Sequence, residues 1–162
     1  MSNTALVPLE EYLSRSGKPI CEYIDGVLRP KPAPTTLHRL IEFLLVTILR
    51  QQGVDALAEV WVKLSNTRVL VPDVIAAPNI QDPYPTEPVT LCVEIRSPGD
   101  PLSTAFAKYE EYRSWGVPHC WVIDPVKQTE WDYHSESDPV RVERDGALRA
   151  GALVVRLNDL FG

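Results

Sequence analysis

Val69-Leu70-Val71-Pro72-Asp73-Val74-Ile75-Ala76-Ala77 is apolar throughout except for one carboxylate. Its valines and isoleucine predict a buried β-strand. Leu91-Cys92-Val93-Glu94-Ile95 repeats the pattern, again with a single acid. Between them, Pro78 to Pro88 holds four prolines, Pro78, Pro83, Pro85 and Pro88, and predicts an irregular surface loop. A carboxylate inside an apolar strand must be paired, hydrogen-bonded, protonated or bound to a metal, because desolvating a lone charge costs several kcal/mol or more. Asp73 and Glu94, at or near the ends of strands that can lie side by side, therefore predict a site for a hard cation.

The flanking sequence supplies the rest of an α/β layout. Leu9-Glu10-Glu11-Tyr12-Leu13 predicts a short helix after Pro8. Pro19 to Pro30 reads as a hairpin, with Asp25-Gly26 accepting positive φ at its turn. Lys31-Pro32-Ala33-Pro34 is an extended connector. Thr35 or Thr36 can cap a helix whose stripe runs Leu37, Leu40, Ile41, Leu44, Leu45, Ile48 and Leu49, with Gly53 as its stop. Ala58, Val60, Val62 and Leu64 alternate with polar or aromatic residues, predicting one strand with two unlike faces. A helix is expected from about Ser103 to Trp115, closed by Gly116 and Pro118. His119 to Ile123 reads as an apolar strand, paired through a turn at Asp124-Pro125 with Thr129 to Tyr133. Shorter strands near Val140–Val142 and Ala152–Val155 and a segment from Leu157 to Phe161 end the chain. The expected architecture is a mixed central β-sheet flanked by helices, with an N-terminal hairpin, in a single domain over residues 1–162.

Composition bounds the function. At 162 residues the chain can bury a core without staples. With 16 Lys+Arg against 22 Asp+Glu its net charge is −6, which argues against coating nucleic acid with the whole surface and leaves room for a localised cleft. No apolar run is long enough to cross a bilayer, and the opening residues lack a signal peptide's basic and apolar regions, so a cytoplasmic protein is expected. Cys21, Cys92 and Cys120 have no metal-ligand or disulfide spacing; Cys92 and Cys120 read as small buried hydrophobes.

The order Glu22-Tyr23-Ile24-Asp25-Gly26, Pro72-Asp73-Val74, Val93-Glu94-Ile95-Arg96-Ser97-Pro98, Asp100, Lys108, Tyr112, Gly116-Val117-Pro118 and Trp121-Val122-Ile123-Asp124-Pro125 resembles the Uma-type putative restriction endonuclease family. That family is a branch of the PD-(D/E)XK, restriction-endonuclease-like superfamily. Pro72-Asp73 matches the first half of the superfamily signature and Glu94-Ile95-Arg96 the second, with Arg96 in place of its lysine. The resemblance implies a restriction-endonuclease-like fold and a Mg²⁺-dependent endonuclease (Mn²⁺ as substitute) that hydrolyses DNA as a homodimer. It implies Asp73, Glu94, Lys108 and Glu22 as catalytic residues. The metal would be held by Asp73, Glu94 and the main-chain carbonyl of Ile95.

Hard carboxylate oxygens suit Mg²⁺. Lys108 shares a helical stripe edge with Ala105, Tyr112 and Trp115, where it can reach back to the strand end or snorkel to water; the resemblance favours the first. Glu22 can touch metal or water, or be an exposed structural residue. Arg96 can bind phosphate but is a poor base. His38, on the flank of the leucine-rich helix, reads as a solvated or core-edge histidine rather than a ligand. His119 and His134 lack partners at metal spacing, Ser97 and Ser103 lack a nucleophile elbow, and the four tryptophans read as core or interface aromatics. The alternative to an enzyme is an inactive nuclease-like fold serving as an oligomerisation or partner-binding module.

Overall fold

The computed structural model of the chain describes residues 5–17, 19–134, 140–143 and 145–161, with the side chains of 129–134 outside that description. A short helix α1 (Leu9–Leu13) leads to strands β1 (Cys21–Ile24) and β2 (Val27–Pro30). Asp25 and Gly26 between them both take positive φ, 50° and 84°, as a two-residue hairpin turn requires. Helix α2 (Thr36–Gln51) starts under the Thr35 side chain, which accepts the His38 N–H at 3.1 Å.

Two stretches expected as single strands are each broken in two. The first becomes β3 (Asp55–Ala58) and β4 (Val62–Ser65), interrupted at Glu59, whose φ of 54° is left-handed. The second becomes β5 (Arg68–Leu70) and β6 (Val74–Ala77). Val71-Pro72-Asp73 lies between them, because Pro72 has no N–H to offer a ladder. Asp73 therefore sits just outside a strand rather than within one. The breaks face each other: the Glu59 N–H donates to the Asp73 carbonyl at 3.2 Å.

At these breaks the chain crosses between two sheets. Beyond them come β7 (Leu91–Ile95), helix α3 (Leu102–Trp115), β8 (His119–Asp124), β9 (Thr129–His134), β10 (Val140–Val142), β11 (Ala147–Ala150), β12 (Leu153–Arg156) and helix α4 (Leu157–Phe161). The central sheet is mixed, ordered β10-β9-β8-β7-β6-β3, with β7 and β8 parallel and the other pairs antiparallel. The hairpin belongs to a separate antiparallel sheet, β2-β1-β5-β4, and β11 pairs with β12.

The pleat sorts β7 between two layers. Leu91, Val93 and Ile95 pack with Ile41, Leu45 and Leu49 of α2, the three α2 side chains being fully buried. Each of those α2 side chains stabilises the fold by roughly 1.5–3 kcal/mol, and Leu45→Ala would cost about 2–5 kcal/mol. Cys92 lies in the opposite layer with Ala105, Tyr109 and Tyr112 of α3, and period two sends Glu94 the same way. Gly116, with φ 117°, ends α3 by donating to the Tyr112 and Arg113 carbonyls.

Cys92 and Cys120 are buried in the α3 layer as small apolar residues. Trp121 is fully buried, Trp61 stacks on Tyr12 with ring centroids 5.0 Å apart, and Trp115 packs at the edge of the α3 layer. The Trp131 and His134 side chains lie outside the described residues. Among the described residues no helix is long and apolar enough to cross a membrane.

Candidate active site

The break at Val71-Pro72-Asp73 leaves main-chain groups that need partners away from the ladders. Two side chains supply them. Glu22 of β1 accepts the Val71 N–H through Oε1 at 3.0 Å, and Lys31, just after β2, donates from Nζ to the Val71 carbonyl at 2.7 Å. The Asp73 N–H donates to the Val93 carbonyl of β7 at 3.1 Å, which docks the break against the central sheet.

Asp73 is almost fully buried. Its Oδ2 accepts the Ile95 N–H at 2.6 Å. Its Oδ1 lies 2.7 Å from Lys31 Nζ and 3.3 Å from His38 Nε2. Burial alone would raise its pKa, but the Lys31 charge and the His38 hydrogen bond outweigh it and hold the carboxyl well below the usual range. His38 shows the reciprocal effect. Burial disfavours the imidazolium, yet its contacts with Asp73 and with Glu42, 3.3 Å away, push it up to about 9.

Glu94 sits on the α3 side. Tyr112 Oη donates to its Oε1 at 2.5 Å, and Lys108 Nζ is 3.6 Å from its Oε2. Here burial wins. Together with the Asp73 and Glu22 charges, and against the pull of Lys108 and Lys31, it pushes Glu94 up to about 7. Lys108 also lies 2.9 Å from Glu22 Oε1. Burial disfavours its charge, but Glu94 and Glu22 outweigh that and raise it well above the ordinary lysine value.

These groups converge. Asp73, Glu94, Ile95 and Lys108 line one cavity of about 40 Å³ together with Lys31, His38 and Arg96, enough for a water or an ion. Glu22 is buried, not exposed, and reaches the site through its contact with Lys108. Arg96 lines the cavity while its Nη1 donates to Asp124 at 2.7 Å and its Nε to the Asp100 carbonyl at 2.8 Å.

Sequence reasoning missed Lys31, His38 and Glu42. His38 is neither solvated nor at the core edge: its side chain is buried against Asp73. A signal existed, since His38 and Glu42 are four residues apart and so share a helix face. Lys31, in a proline-rich connector, has no periodicity to place it.

The donor set fits a hard divalent cation. Two carboxylates and a main-chain segment share one small cavity. His38 Nδ1 is buried without a hydrogen-bond partner among the described residues, and the buried Glu42 Oε1 has only its 3.3 Å contact with His38 Nε2. His38, Glu42 and Asp73 each offer a ligand atom within 4.8 Å of the others.

A sequence profile described as Uma2, putative restriction endonuclease, matches residues 9–157. The crystal structure of a putative nuclease belonging to DUF820 from Anabaena variabilis superposes with a TM-score of 0.80. It is 22% identical, and the match covers 96% of this chain and 97% of that one. At that identity the likeness is one of fold. No curated protein matches the chain.

Proposed function

Because this chain belongs to the Uma2 family of putative restriction endonucleases, we propose that it hydrolyses phosphodiester bonds in DNA at the Asp73–Glu94 cavity with the help of Mg²⁺ or Mn²⁺. The observation that carries this reading is the meeting of two buried carboxylates and Lys108 in one small opening beside the end of β7. Asp73, Glu94 and the Ile95 carbonyl would hold the cation. When bound, it would polarise the phosphate and activate a water.

The chain's own groups do the remaining work. The Ile95 N–H and Tyr112 hydroxyl fix the two carboxylates. Lys108, held well above its ordinary value, stays cationic, so it orients water and offsets charge on the phosphate rather than taking a proton. Glu22 positions Lys108. Arg96, braced by Asp124 and Asp100, offers positive charge at the cavity wall, where it can meet phosphate but not act as a base.

The test is cleavage of plasmid DNA by purified protein with Mg²⁺ or Mn²⁺. Wild type should nick and linearise the plasmid and Glu94→Ala should not. Equal inertness of the two across metals and substrates would overturn the reading. We also propose that the chain works as a homodimer, since two strands must be cut. Leu37, Leu40 and Phe43 are exposed on α2 and support a further contact there. A monomeric mass in light scattering at tens of micromolar would contradict it.

A second reading has an observation in its favour: Lys31 already pairs with Asp73, and Lys108 with Glu22, without any ion. On that reading the fold is a catalytically inactive oligomerisation or partner-binding module. It predicts no heat of divalent-metal binding by calorimetry, whereas metal binding lost in Asp73→Asn counts against it.

A further inference from the structure

We propose that His38, Glu42 and Asp73 form a nitrogen-and-oxygen cation site that favours a first-row transition ion such as Mn²⁺ over Mg²⁺. The inference builds on the hydrolytic reading through the shared ligand Asp73, but it concerns binding and needs no cleavage.

Three features point to it. Helix α2 carries His38 and Glu42 one turn apart and aims both at Asp73, so two layers of the fold meet at this point. Nε2 of His38 lies 3.3 Å from both Asp73 Oδ1 and Glu42 Oε1. Glu42 Oε1 is buried and has only this 3.3 Å contact with His38 Nε2, whereas Arg39 Nη1 donates to Oε2 at 2.7 Å. A buried carboxylate oxygen without a well-formed hydrogen bond is costly, and a cation at this cluster would satisfy it.

The donor types select the ion. Carboxylates alone suit Mg²⁺ or Ca²⁺, and replacing one oxygen by an imidazole nitrogen shifts preference toward first-row transition ions. Lys31 competes for the position, since its Nζ is 2.7 Å from the same Asp73 oxygen. An entering ion displaces that ammonium and releases the proton from His38 Nε2 to solvent, and Lys31→Met should tighten binding. Arg39 Nη1, 3.0 Å from Glu59, and Lys31 Nζ, 4.0 Å from Glu59, complete the charges around the cluster.

The experiment titrates metal-stripped protein with Mn²⁺ and, separately, with Mg²⁺, by calorimetry and without DNA. Electron spin-echo envelope modulation of the Mn²⁺ complex then reports a directly bound nitrogen. Mn²⁺ should bind at least about tenfold more tightly than Mg²⁺, with a ¹⁴N coupling in wild type. His38→Gln should abolish the coupling, and His38→Gln and Glu42→Gln should each weaken Mn²⁺ by about tenfold or more. A wild-type spectrum without nitrogen coupling overturns the proposal, even where the variants fail to fold. Mn²⁺ binding lost in Glu94→Gln but unchanged in His38→Gln also overturns it, while leaving the hydrolytic reading intact. A nitrogen-coupled ion on a protein inert toward DNA supports the site and sinks hydrolysis instead.

Discussion

The two carboxylates of the cavity are both buried, yet their proton affinities move in opposite directions. Asp73, on the α2 side, has an ammonium at 2.7 Å and an imidazole at 3.3 Å on one oxygen and is held well below the usual range. Glu94, on the α3 side, faces a lysine no closer than 3.6 Å, shared with Glu22, and a neutral phenol; burial dominates and it rises to about 7. Equal burial therefore does not mean equal protonation, because the nearest charge decides. Environments that push two acids apart are also what assign different chemical duties to them.

The largest expected effect comes from removing either acid. Under the proposed function, Asp73→Asn and Glu94→Ala should each lower cleavage about a thousandfold or more in a plasmid-nicking time course. Asp73→Asn should also destabilise the fold by about 3–5 kcal/mol in urea denaturation, since it strands the buried Lys31 charge. Lys108→Met should cost about a hundredfold or more in cleavage rate. Lys108→Arg should fail to restore that rate, because a fork-shaped head cannot reproduce a point charge between Glu22 and Glu94.

Stability against pH, measured without metal, sharpens the contrast. Folded Glu94 keeps its proton up to about 7 while the unfolded chain releases it near 4.5, so stability falls as pH rises through that window. The difference is worth about 3 kcal/mol. Glu94→Gln should flatten this slope and stabilise the metal-free protein at pH 8. Asp73 acts the other way: its contribution is present above its ordinary value of 3.8 and is lost as pH falls below it. The smallest effect is Tyr112→Phe, which removes one hydrogen bond to Glu94. It should cost about 1–2 kcal/mol and move the Glu94 titration further upward.

The same contrast explains what could be read in advance. Glu94 was legible because strand alternation is a local rule. The helical wheel left Lys108 free to reach the strand end or to snorkel to water; the family resemblance favoured the first, where the structure has it 3.6 Å from Glu94. The fold class and the hairpin followed from equally local signals at Asp25-Gly26 and Gly116. The Asp73 side was less legible. Its helix partners, His38 and Glu42, lie more than thirty residues earlier in the chain, and their burial is set by how α2 docks on the sheet. The strand breaks escaped for a related reason. Glu59 carries no glycine or proline to announce its left-handed backbone, and Pro72 sits in a run whose apolar character reads as continuous.

The pairing of β1 with β5, Tyr23 opposite Val69 and Ile24 opposite Arg68, works as a caliper. It measures Glu22 to the Val71 amide, and through Glu22 the same spacing reaches Lys108 on a distant helix. A slip of one residue there would turn Glu22 to the other side of the ribbon and leave Lys108 without its closest anchor. Deleting Ile24, at the β1 end of this pairing, would therefore turn Glu22 away from Val71 and disable the cavity from the neighbouring four-stranded sheet, with every residue of the cavity wall still in place.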